Sequence, residues 1–285
     1  MSHELTPMQL KALNFVQDNS AQLSAQAYPS VLARFERLGW NHVTLKLVLR
    51  YIRNQAPIII HVNLDKALHF LVKDTHYRNQ FETNTSGGTL CHSTRRAWEN
   101  RMFSGIYDSS SAFDRVKYGV LNIFNDPNGV DCCHYYGDSY MLLRDVRLRS
   151  TFASKDSSNS DVVLSSGTSK SERPRDMECL VVSRTKILCA RATAVEHYTH
   201  VLKDFSDTEL QQLVALATGK KQCLNSNTIQ HYKEMQIHGE VDLSRHVEAL
   251  VVNFRHKNNA DMMAMAERFC ARNRCQLIMM EPKTT

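Results

Sequence analysis

The run Ile58-Ile59-Ile60-His61-Val62, entered through Pro57, limits this chain more than any other segment. Its β-branched residues follow one another without helical spacing, so it reads as a buried strand around which a sheet must be built.

Upstream of that strand the pattern is helical. Thr6 can cap a helix whose first position is Pro7, where a missing N–H costs nothing, and Met8, Leu13 and Val16 recur at roughly helical spacing. A second helix is predicted over residues 31–38. Asn41 caps a third, with Val43, Leu47, Val48 and Ile52 on one stripe. Residues 1–56 are therefore expected as an N-terminal helical arm, and residues 57–285 as an α+β catalytic-type domain.

Downstream, a short helix is predicted over 65–72 and strands over 118–124, 140–144 and 146–152, the last two joined by a tight connection near Asp145. Residues 154–175 are mostly Ser, Lys, Asp, Gly and Glu, a composition that cannot bury enough apolar surface to order itself, and are expected as a mobile loop. Helices follow over 178–202 and 206–217, the second opened by a capping box of Ser206 and Glu209. Strands over 229–237 and 247–252, a helix over 260–272 and a last strand over 277–280 complete an α+β reading without internal repeats.

A chain of 285 residues can fold without staples. Its net charge of +6 favours anionic partners mildly and stops short of a nucleic-acid-binding signature, so nucleic acid stays open without being favoured. The eight Cys are too dilute and irregular for a disulfide framework and read as free thiols. No basic-then-apolar leader precedes the first helix, and no stretch approaches about 18 uncharged apolar residues. The expectation is a cytoplasmic protein with no membrane partner, export by a signal-independent route being left open.

The familiar phosphate cradles are missing. Gly219-Lys220 lacks the upstream glycine of a Walker loop, no G-x-G-x-x-G follows a strand, and Gly137-Asp138-Ser139-Tyr140 lacks the second glycine of a nucleophile elbow. Metal ligation would have to come from Cys132-Cys133-His134, His197 with His200, or Cys270 with Cys275, none of which has paired finger spacing. No metal site is expected.

Three segments carry polar chemistry. Residues 77–88 place Arg78, hydroxyls including Ser86, and Gly87-Gly88 in one loop, where backbone N–H groups can approach a phosphate or ribose; the same composition also describes an exposed turn. Arg115 and Lys117 precede a strand, and Arg144, Arg147 and Arg149 flank the next ones. Converging, they suit a pyrophosphate; diverging, they are a solvated face. Finally, Tyr232, Glu234, Gln236 and His238 share one face of a strand, which is costly to bury without partners and so faces solvent or forms a site.

Several blocks together resemble one family of uncharacterised proteins, the domain of unknown function numbered thirty-six twenty-six. They are His61 near Asp65; Tyr77 to Thr83 with Ser86-Gly87-Gly88; Trp98-Glu99 with Phe103 and Tyr107; Lys117 to Asn122; Thr151, Phe152, Asp156 and Ser157; and Tyr232 to Gly239. Asn63 and Lys66 depart from the family pattern. That family is itself similar, more remotely, to ADP-ribosyltransferases. The resemblance implies a split β-sheet core of ADP-ribosyltransferase type and NAD as co-substrate. It also implies Glu234 as the catalytic carboxylate with Gln236 beside it. His61 would sit on the NAD ribose, Tyr118 would stack on nicotinamide, and Ser150 or Thr151 would support the glutamate. Arg78, Ser86 and Thr151 join His61 and Tyr118 as candidate NAD-binding residues.

The activity expected from the resemblance is mono-ADP-ribosyl transfer to a macromolecular acceptor, a protein above all, with NAD hydrolysis its nearest variant. A metal-dependent hydrolase or nuclease built on His61, His134, His238 and Glu234, and a non-enzymatic module binding a phosphorylated partner, are the alternatives.

Overall fold

The computed structural model describes residues 5–85, 91–157, 192–229 and 231–282. In chain order the elements are α1 (Pro7–Arg37), α2 (His42–Asn54), β1 (Ile58–Val62), α3 (Leu64–Leu71), α4 (Gln80–Thr83), α5 (His92–Phe103), β2 (Lys117–Leu121), β3 (Ser139–Leu143), β4 (Ser150–Ala153) and β5 (Thr193–Ala194). They continue with α6 (Asp207–Ala217), β6 (Lys233–Ile237), α7 (Leu243–His246), β7 (Val247–Val252), α8 (Ala260–Asn273) and β8 (Gln276–Met279). The fold is α+β, and among the described residues the strands form one mixed sheet in the order β5-β4-β6-β2-β1-β3-β7-β8. Among the described strands, β7 and β8 alone pair in parallel.

The sheet's two faces differ, as period-two alternation requires. One carries Ile58, Ile60 and Val62 of β1 with Met141, Met235, Ile237 and Leu250, and packs with α1, α2, α3, α6 and α8 into the main core. Ala27, Val31 and Phe35 of α1 and Leu45, Val48 and Ile52 of α2 belong to that same core, so the N-terminal helices and the sheet share one interior. The other face carries Ile59, His61, Tyr118, Val120, Glu234, Gln236 and Thr151, and part of it is closed by Val130 and Cys133.

The ladders of β1 are unequal. It pairs with β3 along all of Ile58–Val62, but with β2 only through Ile58↔Leu121 and Ile59↔Val120. The two central strands therefore part company after Ile59, and the sheet opens at its middle.

Local signals placed the helix starts well. Thr6 accepts from Gln9 N and closes a capping box, Asn41 accepts from Val43 N and Thr44 N, and Ser206 with Glu209 form the expected box. The predicted break between two N-terminal helices is absent, and α1 runs unbroken through Pro29. Its buried stripe includes Ser20 and Ser24, which mimic a gap in the apolar pattern. Each is buried for a partner: Ser20 Oγ accepts from Ala194 N at 3.0 Å, and Ser24 Oγ meets His200 Nδ1 at 3.0 Å.

The strand expected over 146–152 begins with a 3₁₀ turn, Arg147–Arg149, and only then becomes β4. Nor is β4 beside β3; it crosses to pair with β6. The helix predicted over 178–202 lies largely outside the described residues. From 192 onward, β5 and a 3₁₀ turn at Thr199–Asp204 occupy its place. Of the predicted loop, residues 158–175 are outside the described set, whereas 154–157 run back over the sheet to the site.

Candidate active site

Where β1 and β2 separate there is a cavity of about 600 Å³, within the size range of cofactor pockets. The sheet contributes His61, Tyr118, Val120 and Glu234, and Tyr232 enters from just before β6. Helix α3 and the chain after it contribute Lys66, Phe70, Asp74, Tyr77 and Arg78; α5 adds Arg95 and Trp98; two short segments add Tyr135-Tyr136 and Asp156-Ser157.

Glu234 lies in β6 opposite Val120 and Ala153 and is 6% exposed. Oε1 accepts from Gln236 Nε2 at 2.9 Å, and Oε2 accepts from Ser157 Oγ at 3.1 Å and more weakly from Ser157 N at 3.4 Å. Burial pushes its carboxyl from the ordinary 4.5 up to about 7; the charge of Asp156 adds to the rise, and the donors on Gln236 and Ser157 oppose it. The result is a carboxylate held in one orientation and poorly solvated, a state that favours a cation beside it.

Asp156 is the acid whose charge acts on Glu234 in the cavity. Its Oδ2 accepts from Tyr232 OH at 2.6 Å, and Tyr232 OH lies 3.1 Å from Tyr136 OH. Basic side chains enter from the opposite elements. Arg78 is tied to Asp74 at 2.8–2.9 Å, with its guanidinium 5.8 Å from the Phe70 ring. Arg95 lies 5.8 Å from the Trp98 ring and 6.0 Å from that of Tyr118. Tyr118 OH donates to Glu99 at 3.4 Å, and Glu99 is buried in an ion pair with Arg115. Burial raises the Glu99 carboxyl to about 7, with the Arg115 charge opposing.

A family model described as a protein of unknown function, DUF3626, matches residues 60–282. The chain belongs to that family. The match begins within β1 and ends after β8, so the DUF3626 unit contains the whole cavity, while α1 and α2 precede it. No curated protein matches the chain.

Of the residues singled out from the sequence, Glu234, His61, Arg78 and Tyr118 line this DUF3626 cavity together. Gln236 and Thr151 stand behind it, both fully buried, and act on it through Glu234: Thr151 Oγ1 donates to Gln236 Oε1 at 3.0 Å, and Gln236 donates to the carboxylate. Ser86 lies outside the described residues.

His61 is otherwise engaged. Its Nδ1 bonds Gly137 O at 2.8 Å and its Nε2 accepts from Val130 N at 3.1 Å, and burial lowers it to about 4, so the neutral ring spends both nitrogens on main chain. The close fit is built in: a Cβ on Gly137 would fall 2.0 Å from the Val62 carbonyl carbon, and one on Gly129 would fall 2.8 Å from the His61 ring. His61 thus clamps the 129–137 loop over the sheet.

Of the two arrangements open to the cations around β2 and β4, convergence on the cavity is not the one found. Arg115 is buried against Glu99, while Arg147 and Arg149 donate to main-chain carbonyls. No group of three His, Cys, Asp or Glu able to hold a metal occurs among the described residues, and no helix among them is long and apolar enough to cross a membrane.

Sequence reasoning passed over Lys66, Arg95, Trp98, Asp156 and Ser157 as cavity residues. Arg95 and Trp98 sit on α5, whose buried Glu99 hides its inward face from any apolar pattern. Asp156 and Ser157 belong to a polar stretch that composition alone assigns to a loop.

Proposed function

We propose that this protein is a mono-ADP-ribosyltransferase, using NAD as co-substrate and a macromolecule, a protein above all, as acceptor. The observation that carries the reading is Glu234: one oriented, poorly solvated carboxylate in a cavity at the parting of the central strands. Breaking the nicotinamide–ribose bond develops positive charge on the ribose, and a carboxylate starved of water stabilises that charge more than the ground state. Nicotinamide leaves with the bonding electron pair and needs no proton, so one acid suffices.

The donor set fits NAD. Lys66, Arg78 and Arg95 offer cations for a pyrophosphate, and Trp98 and Tyr118 offer faces for a ring. Asp156, anchored by Tyr232, stands near Glu234 and can take the proton of an incoming nucleophile. His61, with both nitrogens bonded, is assigned no ribose contact.

The test is incubation of purified protein with NAD labelled in its ADP-ribose moiety, with and without cell lysate. Labelled macromolecules that disappear with Glu234→Gln support transfer. Free ADP-ribose alone reassigns the site to NAD hydrolysis. NAD left intact in every condition overturns both.

A further inference from the structure

Behind Glu234 a file of buried side chains runs across β6 and β4 to His238, just past the end of β6, and to the segment after α5. Tyr107 OH lies 2.7 Å from His238 Nδ1, His238 Nε2 lies 3.4 Å from Thr151 Oγ1, Thr151 Oγ1 donates to Gln236 Oε1 at 3.0 Å, and Gln236 Nε2 donates to Glu234 Oε1 at 2.9 Å. Tyr107, Thr151, Gln236 and His238 are all fully buried, so no water competes along the file. We propose that Tyr107 and His238 are positioning residues for Glu234, acting through Thr151 and Gln236 along a chain whose donors all point at the carboxylate. This rests on Glu234 being the reacting group.

The polarity follows link by link. An ionised carboxylate can only accept, so the amide of Gln236 turns its nitrogen toward Glu234 and its oxygen toward Thr151. Thr151 then spends its one proton on that oxygen. Its lone pair is left for His238, which supplies Nε2–H, and the bare Nδ1 receives the phenol of Tyr107. Tyr107 keeps its proton because burial raises its pKa far above the ordinary value. His238 stays neutral, burial and the charge of Arg149 lowering it to about 3.

Without the phenol, the imidazole can move its proton to Nδ1. Nε2 then competes for the Thr151 hydroxyl, and Gln236 loses the bond that fixes its amide. The carboxylate would keep its neighbours Asp156 and Tyr232, Tyr118 from β2, Cys133 beneath, and the Ser157 donors, but lose its oriented partner on Oε1. Packing alone would not require this directionality, since Phe103 and Tyr107 already enclose the His238 ring.

The test uses no NAD, so it stands apart from the activity reading. Full-length protein carrying carboxyl carbon-13 glutamate is titrated between about pH 4 and 9, with Glu234→Gln assigning the resonance. Tyr107→Phe is expected to raise the Glu234 midpoint by about half a pH unit or more, Thr151→Val by about one, and Thr151→Ser to restore the wild-type value. A folded Tyr107→Phe with an unmoved midpoint overturns the proposal. Nitrogen-15 shifts of His238 in the unmutated protein probe the same chain independently: an Nε2–H tautomer supports it, and an Nδ1–H tautomer overturns it even if Tyr107→Phe does not fold.

Discussion

Replacing Glu234 with Gln should remove the proposed activity and make the protein more stable than wild type above about pH 6, by a margin that grows with pH. A carboxyl displaced from 4.5 to about 7 is disfavoured as an anion in the folded chain. The sign follows from proton counting: between the two values the folded state holds more protons than the unfolded one, so stability falls as pH rises through that window. At about 1.4 kcal/mol per pH unit the full displacement is worth roughly 3 kcal/mol, of which about 2.5 kcal/mol accrues between about pH 5 and pH 8. Gln carries no charge and escapes this term. It also sets an amide against Gln236 and Ser157, which costs about 1 kcal/mol at any pH. Urea denaturation of both proteins at the two pH values reads the difference. The variant should lie near or below wild type at the lower pH and roughly 2 kcal/mol above it at the higher. A difference that does not change with pH would mean that the carboxyl is not desolvated, and the electrostatic basis for the proposed catalysis would go with it.

Other substitutions probe the frame. Arg115→Met leaves Glu99 buried and unpaired and should cost about 3–5 kcal/mol in chemical denaturation, while Arg115→Met with Glu99→Gln should recover most of that loss. If the double variant is no better than the single one, the ion pair is not what couples them. Gly137→Ala has no room for its methyl beside the Val62 carbonyl, so the loop that His61 holds should open, read as faster amide exchange at Val130. Unchanged protection there would contradict the close approach. Arg95→Ala should raise the KM for NAD about tenfold with kcat little changed, as loss of a phosphate contact does; a fall in kcat alone would place Arg95 elsewhere.

Much of the architecture was readable because its signals are local. Thr6, Asn41 and Ser206 with Glu209 announce their helices through side chains bonding their own first turn. β1 and β7 read correctly because apolar residues fill both faces. What stayed hidden depends on partners far along the chain. Ser20 is buried on α1 only because Ala194 needs an acceptor, and Glu99 on α5 only because Arg115 comes to meet it. The adjacency of β4 and β6 is a matter of topology that the short link at Asp145 actively disguises.

The site divides the same way. Alternation along β6 put Tyr232, Glu234, Gln236 and His238 on one face, and that face is where the carboxylate and its supports lie. The same alternation cannot say that Glu234 opens to a cavity while Gln236 and His238 are sealed behind it. The ribose contact for His61 is implied by resemblance alone, and main-chain groups 69 and 76 residues away bond both its nitrogens. Asp156 and Ser157 reach the site from a stretch with no pattern of its own.

The most direct test of the central claim is nicotinamide release from NAD in a single turnover, compared between wild type and Glu234→Gln across pH. Wild type should release nicotinamide at a rate that climbs as the carboxyl ionises near pH 7, and the folded variant should be slower by roughly a hundredfold to a thousandfold. Equal rates in the two proteins, or no release by the wild type at any pH, would contradict it.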